Sequence, residues 1–398
     1  MKEGWEYNSL GNVCRIYNGN SINADYKKKH YQGLSEGYPF IATKDVSFNG
    51  NINYENGVRI PFDENLKIAY PKSVFICVEG GSAGRKIGLV ERKVCFGNKL
   101  FCLEPKNTII GNYLYYYLKS DFFQSQFSER LTGLIGGVSA KKFSEIGILY
   151  PSLSEQQSVV EYLNNAFAKI DALKANAEKQ LNDARALFQA ELSKSMKPKE
   201  GWEEKTLKDI TSKIGSGATP KGGRKVYITD GVSLVRSMNV HDDYFKYDEL
   251  AHINDEAAHL LDGVELKEND VLINITGASI TRCCVIPSDI LPARVNQHVS
   301  IIRISCNVEP RFLCLLLTSA DHKRSLLKIG EAGSTRQALT KSDLEKHIVK
   351  IPTLSEQQQI VAHLDALSEK VKELEKINEQ TQKECDALKQ AMLREIFE

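Results

Sequence analysis

Pro151-Ser152-Leu153-Ser154-Glu155-Gln156-Gln157 recurs as Pro352-Thr353-Leu354-Ser355-Glu356-Gln357-Gln358, an offset of 201 residues, and this pair decides the fold. A second pair lies upstream of it. Lys2-Glu3-Gly4-Trp5-Glu6 recurs as Lys199-Glu200-Gly201-Trp202-Glu203, offset by 197. Weaker echoes keep the same order between the anchors: Ile41-Ala42-Thr43-Lys44-Asp45-Val46 parallels Val235-Arg236-Ser237-Met238-Asn239-Val240, and Ser73-Val74-Phe75-Ile76 parallels Asp270-Val271-Leu272-Ile273. A period near 200 is far longer than any solenoid repeat. The chain of 398 residues is therefore two copies of one unit.

Each copy of the Leu-Ser-Glu-Gln-Gln phrase opens a long stretch free of Gly and Pro. The stretches predict helices over 154–196 and 355–397, each roughly 65 Å long at 1.5 Å per residue. Ser154 and Ser355 are the expected caps, with Gln157 and Gln358 three residues on, as a capping box requires. Apolar residues recur at steps of three and four. In the first helix they include Val160, Leu163, Phe167, Ile170, Leu173, Leu181 and Phe188; in the second, Leu364, Leu367, Val371, Leu374, Leu388 and Met392. A stripe this narrow predicts coiled-coil packing, helix on helix.

The remaining residues have mixed character, with short β-rich runs such as Ser73–Val78, Val271–Ile275 and Val299–Ile304. The expected division is a mixed domain over 1–150, a central helical spacer over 151–197, a second mixed domain over 198–351 and a C-terminal spacer over 352–398. If the start and end of the second mixed domain adjoin, as is usual, the second helix runs back antiparallel to the first. The expectation is an α+β fold: two mixed α/β domains joined by two long antiparallel coiled-coil helices, with pseudo-twofold duplication.

Composition excludes several classes. Apolar residues at 42% and charged residues at 26% describe a folded chain rather than a disordered one. The longest apolar run, Phe312–Leu317, is far too short to span a membrane. The N-terminus lacks the apolar core of a signal peptide. Nine cysteines without a C-x-x-C pair indicate neither a disulfide framework nor a zinc ribbon, and a reducing cytoplasm is expected.

The net charge of +1 hides a division. Residues 1–150 carry 19 basic and 14 acidic side chains, net +5. The spacers stand at −1 for 151–196 and −4 for 352–398. Residues 197–351 stand at +1, but ten of their acids fall in 242–270 with two bases, leaving +9 elsewhere. Basic residues concentrate in loops able to approach phosphates and base edges. The candidates for DNA contact are Lys27, Lys28, Lys29, Lys44, Arg85, Lys86 and Lys141 in the first copy. In the second they are Thr219, Lys221, Arg224, Lys225, Arg236, Arg282, Arg294 and Arg336. Two basic domains on a spacer suit two half-sites.

Neither copy contains a methyltransferase Asn/Asp-Pro-Pro-aromatic motif, a Walker loop or an H-E-x-x-H metal motif. His252, His259 and His241-Asp242-Asp243 are scattered, and the nuclease-like Asp255…Glu265-Leu266-Lys267 has no counterpart in the first copy. No catalytic residue and no metal site is expected in this chain.

The whole chain resembles the specificity subunit of type I restriction–modification systems. The resemblance rests on the duplicated Pro-x-Leu-Ser-Glu-Gln-Gln helices, with Gly217-Ala218-Thr219-Pro220, Asn269-Asp270-Val271-Leu272-Ile273, Asn296-Gln297-His298-Val299 and Ser334-Thr335-Arg336-Gln337 in the second copy. The first copy departs from these phrases, with Asn18-Gly19-Asn20-Ser21 and Gly97-Asn98-Lys99. The resemblance implies that each mixed domain is a target recognition domain reading half of a bipartite, asymmetric site in double-stranded DNA. It also implies that the helices set the unread gap and dock two methyltransferase subunits, with restriction subunits joining them. S-adenosylmethionine, ATP and Mg would belong to those partners, and none to this chain. A coiled-coil protein-binding adaptor and a stand-alone metal-dependent nuclease are the other two classes open at this point.

Overall fold

The computed structural model describes residues 4–132, 136–220, 222–305, 307–331 and 338–398. The chain forms two compact units, Met1–Ala177 with Asn378–Glu398, and Glu178–Ile377. Each unit thus contains a mixed domain and part of both long helices.

In the first unit, strand Glu6–Ser9 pairs antiparallel with Gly147–Tyr150, immediately before the central helix Leu153–Ser195 begins. The start and end of the mixed domain therefore adjoin. Its core carries an antiparallel sheet in the order Cys14–Asn18, Leu100–Pro105, Val74–Cys77, Ile87–Leu89, with Ile16 opposite Leu103 and Leu103 opposite Val74. A second sheet runs Arg59–Ile60, Tyr38–Ile41, Val94–Phe96, Ile68–Ala69, its two middle strands parallel.

The second unit repeats this plan. Glu203–Thr206 pairs with Ile348–Ile351 just before the C-terminal helix Leu354–Phe397. One sheet runs Thr211–Ser216, Val299–Ile304, Val271–Asn274, Cys283–Val285; the other runs Ala251–Ile253, Val232–Val235, Ala293–Val295. Again the last two strands are parallel. The strands common to both units keep the same order, and where the first unit has Ile68–Ala69 the second has a single antiparallel bridge from Glu265 to Arg294, so the sequence repeat is a repeat of topology.

Phe312–Leu317, the longest apolar run, lies within helix Pro310–Thr318 and is buried along its whole length. A helix apolar on every side belongs in a core. Its sister, Gly111–Lys119, buries Tyr113, Leu114, Tyr116, Tyr117 and Leu118. Among the described residues no helix is long and apolar enough to cross a membrane.

The long helices begin one residue earlier than expected, and their caps differ. Ser152 and Thr353, not Ser154 and Ser355, accept the backbone N–H of Glu155 and Glu356, each at 3.4 Å. The glutamines that matter are Gln156 and Gln357, both fully buried. Gln156 accepts the N–H of Ile110 and donates to the carbonyls of Thr108 and Pro151, all at 2.9 Å. Gln357 repeats this with the N–H of Glu309 at 2.8 Å and the carbonyls of Asn307 and Pro352 at 3.3 and 2.9 Å. The duplicated phrase is a clamp that fixes each long helix to its own domain. The duplicated tryptophans press on the same joints. Trp5 donates to Glu155 at 3.2 Å, and Trp202 lies 6.1 Å from Phe312.

Within the first unit the two helices run antiparallel. Asp171 pairs with Lys389 and Lys174 with Asp386, so partners descend along one helix as they ascend the other. Val160, Leu163 and Ile170 are buried there, as are Leu393 and Phe397. Phe167 and Met392 are half-buried against the same core. Phe397 packs its ring 5.3 Å from Tyr113 and 5.7 Å from Tyr117. In the second unit Arg185 pairs with Glu375, and Leu181 and Leu364 are buried. Phe188, Leu367, Val371 and Leu374 are half-buried.

Leu173 and Leu388 depart from the expected stripe, standing 54% and 51% exposed. Each helix packs on its mixed domain as well as on its partner, and a straight helix drifts about 20° per heptad against a 3.5-residue repeat. The buried face therefore shifts, and Leu393 and Phe397 go deeper than the neighbouring Met392 and Ile396.

Candidate nucleic-acid interface

In the first unit the helix Ala24–His30 starts at Asn23, whose side chain accepts from the N–H of Asp25 at 2.9 Å and Tyr26 at 3.2 Å. Lys27, Lys28 and Lys29 fill its last turn, where cations suit the helix dipole. Lys28 and Lys29 are exposed. Lys27 leans back, its ammonium 4.9 Å from the Phe40 ring. Tyr26 is exposed and stacks on His30 at 4.3 Å.

A Gly-rich turn builds a second basic group. Gly80 and Gly84 have positive φ, and a Cβ at Gly84 would come within 2.7 Å of the Phe127 ring. The turn delivers Arg85 and Lys86 to the exposed Phe48, 5.4 and 5.2 Å from its ring centre. Lys86 also donates to the Thr43 carbonyl at 2.9 Å, which places it beside the exposed Lys44. Arg85 and Lys86 thus share an aromatic loop tip, with the exposed Lys44 next in chain to the carbonyl that Lys86 holds. Lys141 is exposed on a different element, helix Ala140–Ser144.

The second unit repeats the loop tip with other residues. Arg282, on the turn that begins at Gly277, approaches His241 at 3.5 Å. His241 stacks on the exposed Tyr244 at 4.7 Å. Thr219 is exposed and its hydroxyl bonds the Gln297 carboxamide, joining the Gly217–Pro220 and Asn296–His298 phrases in one place. Gly217 permits this approach, because a Cβ there would lie 1.7 Å from the Val295 carbonyl oxygen. His298 joins the group through Thr276 at 2.6 Å and Gln297 at 3.1 Å. Charge does not single out Gln297 and His298 as contacts; the Asn-Gln-His phrase is the signal that marks them.

Other candidates are differently placed. Lys225 is exposed. Arg236 is half-buried, with its guanidinium on the Glu249 carbonyl and 5.5 Å from the Tyr227 ring. Arg294 is buried inside the domain, paired with Asp262 at 2.8 Å and Glu265 at 3.4 Å. It faces the core rather than solvent. Lys221, Arg336 and the side chain of Arg224 lie outside the described residues.

Arg294 belongs to a pattern that changes the meaning of the acidic cluster over 242–270. Asp262 and Glu265 hold Arg294, Asp270 holds Arg303, Asp242 holds Lys323 and Asp243 holds Arg311. Burial pushes the Asp243 carboxyl up despite the guanidinium beside it. Much of the +9 counted outside the cluster is therefore neutralised within the unit, and the exposed basic surface there is smaller than composition suggests. Among the described residues no group of three His, Cys, Asp or Glu side chains is placed to hold a metal. Glu265 of the nuclease-like triplet is turned to Arg294, and His259 to Asp262.

Comparison with known proteins agrees with this organisation. The family described as the type I restriction modification DNA specificity domain matches residues 2–183 and again 199–383. The chain is 22% identical over 430 residues to the type I restriction enzyme EcoBI specificity subunit of Escherichia coli, covering 100% of this chain and 86% of that one. It is 20% identical over 423 residues to the EcoKI specificity subunit of Escherichia coli strain K12, covering 100% and 89%. Two solved structures share the fold. One, from a study of complex assembly and conformational transition of the type I R-M system, superposes with a TM-score of 0.77 at 18% identity over 99% of this chain and 97% of that one. The other, the HsdS subunit from Thermoanaerobacter tengcongensis, gives 0.58 at 18% identity over 100% and 97%. With two matched domains, a duplicated topology and the glutamine clamp repeated at both long helices, the chain belongs to the type I restriction–modification DNA specificity family and is a non-catalytic, sequence-specific DNA-recognition subunit.

Proposed function

We propose that each mixed domain reads one half of a bipartite, asymmetric site in double-stranded DNA, with recognition domains over 1–150 and 198–351. The spacers over 151–197 and 352–398 set the unread gap and dock two methyltransferase subunits, to which restriction subunits add. The cytoplasm is the compartment where such a complex meets DNA. One observation carries this reading: the two units share the order of their common strands and the glutamine clamp but not the residues at their loop tips. Lys44, Arg85, Lys86 and Phe48 stand in one; His241, Tyr244 and Arg282 stand in the other. A common scaffold with different tips suits one backbone geometry on two different base sequences, since phosphate contacts position a protein and base contacts specify.

Lys27–Lys29, Lys44, Arg85, Lys86, Lys141, Lys225 and Arg282 are assigned to the DNA side, with Thr219 next to Gln297 as a base-reading candidate. Lys221, Arg224 and Arg336 keep their assignment from sequence. Arg236 serves at the margin, and Arg294 supports the domain from within. The test is DNA binding by the full chain with its methyltransferase partners. Replacing Lys44, Arg85 and Lys86 together with alanine alters binding at one half-site, and a chain whose binding is unaltered refutes the assignment.

A further inference from the structure

His322 Nδ1 and His347 Nε2 lie 2.9 Å apart in the second unit, one imidazole donating to the other. His322 sits on helix Ala320–Glu331, and His347 immediately precedes the closing strand Ile348–Ile351. Its own carbonyl accepts the N–H of Leu207 at 2.9 Å. The pair thus ties a domain helix to the strand that leads into the C-terminal helix. His347 is buried and His322 half-buried.

The first unit supplies an internal control. There the carbonyl of Ile146 accepts the N–H of Leu10 at 2.8 Å, so Ile146 stands where His347 stands. Ser120 and Ser319 match in the same way, each hydroxyl donating to the carbonyl three residues back at 2.7 and 2.6 Å. Three residues further on, Phe123 occupies the place of His322. Phe123 and Ile146 are both fully buried and apolar. The same scaffold positions thus hold two apolar side chains of one core in the first unit and a hydrogen-bonded histidine pair in the second.

We propose that the His322–His347 pair is an acid-sensitive latch on the second unit, closed while it holds a single bridging hydrogen, and that the first unit has none. A bridge between two ring nitrogens needs one donor and one acceptor. A proton on each leaves two N–H groups and two positive charges facing each other at hydrogen-bond distance. No such event can occur between Phe123 and Ile146.

The surroundings do not relieve the charge. Asp321, beside His322, favours its protonated form, but burial outweighs it. Burial, with the neighbouring imidazole, pushes His347 down to about 4. On the same helix Lys323 is held by Asp242 and Arg324 by Asp321. On the elements packed around His347, Asp209 and Asp343 are engaged in capping Thr206 and Thr340, Lys341 pairs with Glu345, and Lys208 and Lys346 point to solvent. The sign follows from a folded pKa below the unfolded value near 6.5. The latch contributes fully above about pH 6.5 and is lost as the pH falls toward 4. At pH 5 the opening constant of the second unit rises roughly 30-fold from His347 alone.

The experiment is hydrogen exchange on the full chain at pH 7.5 and 5.0, corrected for intrinsic rates. Peptides covering 320–331 and 346–351 are compared with 121–128 and 145–150. The expected result is a tenfold or greater increase in opening at pH 5.0 in the second unit alone. The variant His322→Phe/His347→Ile, which installs the first unit's residues, abolishes the difference. Should that variant fold poorly, His347→Gln removes the more deeply buried of the two titrating imidazoles while keeping a hydrogen-bonding side chain, and it must cut the response severalfold, leaving only what His322 contributes. Equal opening in both units, an undiminished response in folded His347→Gln, or any response in the folded double variant overturns the proposal.

Discussion

The Gln156 side-chain oxygen accepts the backbone N–H of Ile110 at 2.9 Å, across 46 residues of chain. Ile110 is the residue before helix Gly111–Lys119, whose N-terminus otherwise has no side-chain cap. A long-helix residue thus caps a domain helix, and Gln357 does the same for Glu309 and helix Pro310–Thr318. The clamp predicts that Gln156→Leu destabilises the first unit and Gln357→Leu the second, each by about 1–3 kcal/mol, because a fully buried side chain gives up three hydrogen bonds to the backbone. Gln157→Leu, on the exposed side of the same turn, stays within about 0.5 kcal/mol of wild type. Urea unfolding of the full chain, followed by exchange in each unit, separates these outcomes.

This clamp also marks how far the sequence could be read. The duplication, the long helices and the strand-rich domains were legible because they show as repeat, period and composition. The role of the glutamines was not. Capping-box spacing points to Gln157 and Gln358, whereas the buried Gln156 and Gln357 find their distant partners in a loop some 48 residues upstream. Local spacing carries no trace of a distant carbonyl. Leu173 and Leu388 fit the period but lie off the buried face for the same reason, since the domains choose that face. Arg294 looked like a DNA contact because charge counting cannot pair it with Asp262 or Glu265. The loop-tip clusters were half legible: Gly-rich turns with Arg or Lys were visible, but their approach to Phe48 and His241 depends on the fold.

Asp270 is fully buried and held by Arg303 through bonds of 2.8 and 2.7 Å. Its carboxylate also caps the N–H of Lys267 at 2.8 Å. Removing the guanidinium strands a buried charge, so Arg303→Ala costs about 3–5 kcal/mol. The thermal midpoint of the second unit falls, and the first unit serves as the internal reference. Arg303→Ala together with Asp270→Asn recovers part of the loss.

Lys174–Asp386 pairs the two long helices within the first unit, with Asp386 largely exposed. An ion pair in such a setting contributes about 0.2–1 kcal/mol. Asp386→Lys therefore lowers stability slightly, and adding Lys174→Asp restores it. A double-mutant cycle in low and high salt measures the coupling, which shrinks as salt rises.

Burial pushes the thiols of Cys14, Cys95 and Cys102 up to about 12. At pH 8 the reactive thiolate is then on the order of one part in 10⁴ at these sites. The native chain leaves all three unlabelled by iodoacetamide over an hour, and labelling becomes complete in urea. Peptide mass spectrometry checks each site separately.

In the proposed function the two units read different halves of one DNA site. Its most direct measurement is sequencing of DNA selected from a random pool by the full chain with its methyltransferase partners, for wild type and for Lys44→Ala/Arg85→Ala/Lys86→Ala. Two unrelated short motifs at a fixed unread spacing are expected, with one motif degraded in the variant and the other unchanged. A single contiguous motif, two identical halves, or loss of both halves together would contradict it.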